Sequence, residues 1–339
     1  MGGFLKYLAY IESPLQAFNL LEYAEVNKIT IDILIVNKKT TVSLHNYSQI
    51  SFVLSKLKAK TLFEIDIEAG KKNIFKIKKT IDAFLSISKE SFLLIGGEYR
   101  SMIFWYICGK FSQRKVVILD DGTATLRINR THRHFKRLMR DLLMRALGFV
   151  DAFIEPIVFF SVYDLTNKIA KHDILILHKY ESFQGKMTSF SKGQITIYII
   201  GSPFFEAGVI DDSNIEILIT LEMINKLKGK YSTYDVVYIP HRRESEDKLE
   251  RIRKVIPVEK LGYPFELLPL VSEKKVTIIA GFYSSLFDNM YAICGKDLKI
   301  ECFCLPEKVI NPSWSGFVSD VYENYKKYPS ESFIFNKIT

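Results

Sequence analysis

Apolar residues along this chain fall into two kinds of run, and the two kinds alternate. The first is short and continuous: Phe4–Tyr10, Ile31–Val36, Leu62–Ile65, Phe92–Ile95 and Val116–Leu119. The second is longer and spaced for a helix, as in Leu15, Phe18, Leu20, Leu21 and Ala24, then Tyr47–Leu57, Ile74–Ile87 and Ser101–Lys110. Continuous apolar strands are those buried on both faces, as in parallel sheets covered by helices. The alternation therefore predicts a parallel α/β layer. At the first strand–helix junction, Ser13 is a good N-cap, Pro14 suits the first helical turn and Gln16 completes a capping box.

The second half repeats the pattern. Strands are predicted at Ala152–Ile154, Ile174–Leu177, Ile195–Ile200, Val236–Ile239 and Val276–Ala280. Helices are predicted over Asn214–Lys228, from Ser245 to Val255, after Ser284, and over Phe317–Tyr328. Between Tyr180 and Gly193 the chain turns polar and glycine-bearing, which marks a domain boundary. We therefore expect Rossmann-like domains at 1–185 and 186–339, with a terminal helix free to pack back on the first. Two such domains facing each other across a cleft make a GT-B arrangement.

The length of 339 residues is too great for one compact core and suits two α/β domains. With 48% hydrophobic and 25% charged residues the balance is that of a folded globular protein. No apolar run approaches the roughly 20 residues that span a bilayer, and the first residues do not form a secretory signal. Cys108, Cys294, Cys302 and Cys304 read as reduced thiols of a cytosolic protein. No second Cys or His pair completes a metal site. A formal charge of +9 predicts attraction to anions without choosing among them.

Three polar motifs stand at the ends of predicted strands: Asp120-Asp121-Gly122, Pro240-His241-Arg242-Arg243-Glu244 and Gly281-Phe282-Tyr283-Ser284-Ser285. Ligands of open parallel sheets bind at the carboxyl edges of strands. A carboxylate there can take a proton from a hydroxyl, and adjacent carboxylates raise each other's pKa. An imidazole beside two arginines resists protonation until an anion arrives. Serines opening a helix form a phosphate site. Each motif also has a plainer reading alone: an Asp-Gly turn, a surface histidine in a basic loop, and an ordinary N-cap.

Taken in order, the motifs resemble the bacterial sialyltransferases of GT-B fold, which carry acidic-acidic-Gly, His-Pro and Ser-Ser/Thr motifs. The likeness is nearest to the lipooligosaccharide sialyltransferases and their polysialyltransferase relatives. Glu12–Gln16, Gly96-Gly97-Glu98-Tyr99-Arg100, Gly201-Ser202-Pro203 and Gly262-Tyr263-Pro264-Phe265-Glu266 fit the same pattern, so the likeness spans about residues 5 to 295. One departure is that proline precedes His241, while Arg242 stands where the pattern has its proline.

The resemblance implies an inverting transfer of sialic acid, or a related nonulosonic acid, from a CMP-activated donor to a glycan hydroxyl of lipooligosaccharide or capsule. It implies that Asp121, or its neighbour Asp120, is the general base. His241 would serve the departing phosphate and Ser284 and Ser285 would bind it, with Gly281 and Arg242 beside them. Glu266 would accept the ribose hydroxyls, although a solvated helix-start glutamate is the plainer reading. Ser13 and Gln16 could line the sugar pocket, though capping already accounts for them. No metal or other cofactor is expected, since CMP is already a good leaving group.

Arg127, Arg130, Arg133, Lys136, Arg137, Arg140 and Arg145 interleave with apolar residues such as Leu138, Leu142 and Met144. On a helix, Arg133, Lys136, Arg137 and Arg140 would face anionic lipid or an acidic acceptor, or simply solvent. The resemblance favours the first through lipid-linked glycan acceptors. It also implies a cytoplasmic enzyme, held peripherally on the inner face of the cytoplasmic membrane. Two alternatives stand beside this one. One is a GT-B transferase using CMP-Kdo or a UDP-hexose. The other is a basic protein that binds anions or membrane without catalysis; stacking platforms for nucleic acid are missing.

Overall fold

A computed structural model describes residues 5–39, 44–67, 73–132, 142–187, 195–272 and 276–338. The chain divides into two compact units, 1–182 and 183–339.

The first unit is built on a seven-stranded sheet. Its strands are β1 (Lys6–Ile11), β2 (Ile31–Asn37), β3 (Ala59–Ile65), β4 (Ser88–Gly96), β5 (Phe111–Leu119), β6 (Ile157–Ser161) and β7 (Ile174–Leu177). The order is β3-β2-β1-β4-β5-β6-β7 and every pairing is parallel, with Tyr10 opposite Gly96 and Leu119 opposite Phe160. Helices α1 (Pro14–Val26), α2 (Leu44–Leu54), α3 (Ile74–Asp82) and α4 (Met102–Cys108) connect the first five strands, and α5 (Glu181–Met187), which begins at the end of this unit and runs into the second, follows β7. The core gathers Leu8, Tyr10, Leu94, Phe104, Ile118 and Phe159, all within 1% of complete burial. Chain order reverses between β1 and β4, the switch point at which such sheets bind ligands.

The second unit repeats the plan with five parallel strands in the order β12-β11-β10-β8-β9. These are β8 (Thr196–Ile200), β9 (Asp235–Ile239), β10 (Ile278–Gly281), β11 (Lys299–Cys304) and β12 (Phe333–Lys337). The helices are α6 (Ser213–Lys230), α7 (Glu246–Arg253), α8 (Leu268–Ser272), α9 (Ser285–Cys294) and α10 (Pro312–Tyr325). Ile197, Ile199, Met223, Ile278, Ala280 and Phe303 belong to a separate core. Here the switch point lies between β8 and β10.

Several elements differ from the sequence reading. The strand expected at 152–154 is a turn, because Asp151 captures the Phe153 amide at 3.0 Å through its side chain and the Glu155 amide through its carbonyl. The strand begins after Pro156, at Ile157. The last helix starts five residues early, at Pro312, because the Asn311 side chain caps it at 3.0 Å on the Ser313 amide. It packs within the second unit, where the Tyr322 hydroxyl meets Leu305 and the Tyr325 hydroxyl meets Ser284. β12 follows it; its apolar run Phe333-Ile334-Phe335 is only three residues long and gives way to Asn336 and Lys337, and the sequence reading passed over it. All four cysteines are free.

The basic stretch is divided. Arg133, Lys136, Arg137 and Arg140 lie outside the described residues. Arg127 and Arg145 are exposed. Arg130, read as part of the cationic surface, is instead fully buried. Its Nε and Nη2 donate to Asp173 at 2.7 and 3.0 Å, and Nη2 also reaches the Glu155 carbonyl at 2.9 Å. Among the described residues no helix is long and apolar enough to cross a membrane.

Candidate active site

In the first unit the predicted residues converge at the carboxyl ends of β1, β4 and β5. β1 runs out at Ile11, and Ser13 turns the chain into α1 by accepting the Gln16 amide at 3.3 Å. The Gln16 side chain then faces two ways. Its Oε1 accepts the Glu12 amide at 2.9 Å, and its Nε2 donates to Asp121 Oδ1 at 2.9 Å. Ser13 Oγ lies 3.4 Å from the same oxygen. The capping residues therefore also hold the strand-end carboxylate, so the two readings of Ser13 and Gln16 coexist. Gly97 makes this approach possible, since a Cβ there would stand 2.2 Å from Gln16 Oε1. Gly122, at φ +64°, turns the chain away immediately after Asp121.

The two adjacent aspartates have separate surroundings. Asp120 is 1% exposed and joins β5 to β6. Its Oδ1 accepts from Ser161 Oγ at 2.6 Å, its Oδ2 from the Val162 amide at 2.7 Å, and its carbonyl from Asn19 Nδ2 at 2.9 Å. Asp121 is half-buried on the rim, its amide fixed to Thr125 Oγ1 at 3.0 Å. Asp121 lines a small recess with Glu98, Tyr99, Leu119, Thr125 and Ile128. Burial raises Glu98 to about 7, with the negative charges of Asp121 and Glu12 adding to the effect. Glu12 accepts from the Tyr10 hydroxyl at 2.7 Å and pairs with Lys39 at 2.9 Å. Three carboxylates thus share this rim. The sequence placed Glu12 and Glu98 only within longer motifs and gave neither a role, although Glu12 directly follows β1 and Glu98 comes two residues after β4, the strands bordering the switch point.

In the second unit His241 stands just past β9. Its Nδ1 accepts the Arg243 amide at 3.1 Å, so the neutral ring carries its proton on Nε2. Burial, followed by the charges of Arg242, Arg243 and Lys248, lowers its pKa to about 3. Arg242 and Arg243 are exposed. Glu244 is buried beneath the loop instead. It accepts the His241 amide at 2.6 Å and the Tyr238 hydroxyl at 2.7 Å, and it pairs with Lys248 at 2.5 Å. Lys248 continues to Glu216 at 2.7 Å and to the Ser202 carbonyl at 2.9 Å. This internal network sets the loop on which His241 rides, with proline on its near side.

Two strands away, Gly281 ends β10 and Ser284 caps the ten-residue α9 by accepting the Leu286 amide at 3.2 Å. The Tyr325 hydroxyl brackets Ser284, accepting its amide at 3.1 Å and donating to its carbonyl at 2.8 Å. Ser284 and Ser285 are half-buried at a positive helix end. Glu266, in the turn Phe265–Leu267, is 6% exposed rather than solvated. It accepts from Asn289 Nδ2 of α9 at 2.9 Å, and burial raises its pKa. Neighbouring strands are about 4.8 Å apart, so the ends of β9 and β10 lie about 10 Å apart, with the end of β8 and Gly201-Ser202 between them.

No family model matches the sequence, and no curated protein matches it. Solved structures do resemble it. A sialyltransferase of Photobacterium phosphoreum aligns over 98% of both chains with a TM-score of 0.54 at 9% identity. MnaA of S. aureus, in a co-structure with UDP, covers 97% of this chain and 90% of its own with a TM-score of 0.56 at 10% identity. The UDP-GlcNAc 2-epimerase of Methanocaldococcus jannaschii, in complex with UDP-GlcNAc and UDP, covers 88% and 83% with a TM-score of 0.52 at 14% identity. The fold is GT-B. Of the predicted residues, Asp120, Asp121, Ser13 and Gln16 stand at the carboxyl rim of the first sheet and His241, Gly281, Ser284 and Ser285 at that of the second, while Glu266 lies in a turn between helices.

Proposed function

We propose that the protein is an inverting glycosyltransferase that moves a nonulosonic acid from a CMP-activated donor to the hydroxyl of a cell-surface glycan. The observation that carries this reading is the sorting of the aspartate pair. Asp120 is locked into the sheet, whereas Asp121 presents a carboxylate on the rim, steered by Gln16 and Ser13. In the reaction, Asp121 takes the proton of the acceptor hydroxyl as its oxygen bonds to the anomeric carbon. The bond from that carbon to the CMP phosphate oxygen breaks from the opposite face, and the anomeric centre inverts. His241 is neutral and serves as an Nε2–H donor to the departing phosphate, and the phosphate's own charge raises the imidazole's affinity for a proton. Ser284, Ser285 and the amino end of α9 hold the same phosphate. Glu266 accepts the ribose hydroxyls, and its buried carboxylate is stabilised once they bind.

A second reading is an enzyme acting on a UDP-sugar. It is supported by the fold likeness to MnaA and by the three carboxylates on the first rim, a set suited to moving protons at carbon. One experiment separates the two. Melting of the whole protein is followed with CMP, UDP, GDP and ADP, since ligands raise apparent stability by mass action. CMP alone should stabilise, and Asp121→Asn should retain that shift while losing transfer from CMP-sialic acid by about 100-fold or more. Stabilisation by UDP alone, or near-normal transfer by Asp121→Asn, overturns the proposal.

A further inference from the structure

Away from the rim, one group of ligand-type side chains stands together in the first unit. Glu22 lies in α1, His178 directly follows β7, and Glu181 opens α5. One oxygen from each glutamate and a ring nitrogen of His178 lie within 4.8 Å of one another. Glu22 and His178 are buried, 0% and 4% exposed, while Glu181 reaches solvent.

His178 supplies the second, independent observation. Its Nδ1 and Nε2 are both buried, and neither has a hydrogen-bond partner among the described residues. A neutral imidazole always has one N–H to give and one lone pair to share, so both capacities go unused in a setting where buried polar groups are normally satisfied. The ring is also held rigidly. It lies flat on Phe160, with centroids 3.9 Å apart and planes 3° apart, and meets Tyr180 edge-on at 4.8 Å. Burial lowers its pKa to about 3, so the ring is neutral at ordinary pH and its lone pair is available. Glu22 shows the complementary deficit. Ser182 orients both of its oxygens, one through the backbone amide at 3.2 Å and the other through its hydroxyl. Burial still pushes the carboxyl pKa up, and the negative charges of Glu181 and Glu25 add to it. A single divalent cation would supply the missing partner of His178 and would sit between the two glutamate carboxylates.

We propose that Glu22, His178 and Glu181 bind a divalent transition-metal cation of the zinc class. One nitrogen and two carboxylates match such ions, whereas Mg²⁺ and Ca²⁺ favour oxygen ligands throughout. Zinc at its usual bond lengths holds tetrahedral donor atoms about 3.3 Å apart, so the solvent-facing Glu181 closes the set by rotating its side chain. The role is structural. Glu22 is six residues beyond Gln16 on α1, about 9 Å along the helix axis, so the ion stands apart from the Asp121 rim. It would pin the segment after β7 to α1, where the Tyr180 hydroxyl already donates to Asn19 at 2.6 Å and Asn19 donates to the Asp120 carbonyl.

The whole protein, stripped with a chelator, is titrated with Zn²⁺, Co²⁺ and Mg²⁺ while metal content, melting temperature and the Co²⁺ visible spectrum are followed. One equivalent of Zn²⁺ per chain, a higher melting temperature, intense Co²⁺ ligand-field bands and no response to Mg²⁺ are expected. Glu181→Gln changes a surface side chain and should weaken Zn²⁺ about tenfold or more. His178→Phe preserves the stack on Phe160 and should abolish binding in a folded chain. Substoichiometric zinc in the native protein, or zinc affinity unchanged in both variants, overturns the site. None of these readouts involves a nucleotide, so the outcome is independent of the transferase reading.

Discussion

At the scale of single residues, burial and neighbouring charge give similar groups different properties. Asp120 and Asp121 are adjacent in sequence, yet one is a strut between strands and the other a rim carboxylate. On the same rim burial raises Glu98 to about 7, with the charges of Asp121 and Glu12 adding to it. An unfolded glutamate titrates near 4.3. The folded state therefore holds this proton more tightly, so the stability it contributes is complete below about pH 4.3 and lost as pH rises through about 7. Glu98→Gln should match the parent at pH 4 and exceed it by about 1–3 kcal/mol at pH 8. Urea midpoints at the two pH values measure this, and equal differences at both would remove Glu98 from the carboxylate cluster.

At the scale of elements, the strands and helices nearest the site were legible because their apolar runs are continuous and their caps explicit. Ser13-Pro14-Leu15-Gln16 opens α1, and Val236–Ile239 and Val276–Ala280 mark β9 and β10 within a residue or two. What stayed hidden was pairing at long sequence range. Arg130 reads as one cation among several, and only the fold brings Asp173 against it. The strand at Ile157–Ser161 was missed because Asp151 diverts the preceding apolar residues into a turn. The His178 cluster was equally invisible, since Glu22 lies in a different helix far along the chain. The buried Arg130–Asp173 pair yields a further prediction. Asp173→Asn leaves a guanidinium without its countercharge and should cost about 3–5 kcal/mol, read from the denaturant midpoint. A loss below about 1 kcal/mol would show that the surrounding carbonyls suffice.

At the scale of the whole molecule, the two sheets have separate cores, with Leu8, Tyr10 and Phe159 in one and Ile199, Met223 and Phe303 in the other. Chains with two such cores commonly depart from all-or-none unfolding. Calorimetry should therefore resolve two transitions, and saturating CMP should raise only the one belonging to residues 183–339, by about 2.7 kcal/mol at a hundredfold excess over Kd. A single transition moved as a whole would mean that the cores melt as one.

Because every strand pairing in both sheets is parallel, each sheet has one rim where its strands end and another where they begin. The candidate functional side chains described above gather on the first, while the second is where the chain returns from each helix into the next strand. Natural variation can then act on the two rims under different rules. On the proposed function, exchanges around Asp121, His241 or Ser284 would alter what is recognised while the apolar strands behind them stay unchanged. Insertions at the strand-beginning turns can accumulate with little effect on activity. A lineage with this architecture can acquire a new substrate in a few steps without first rebuilding its scaffold.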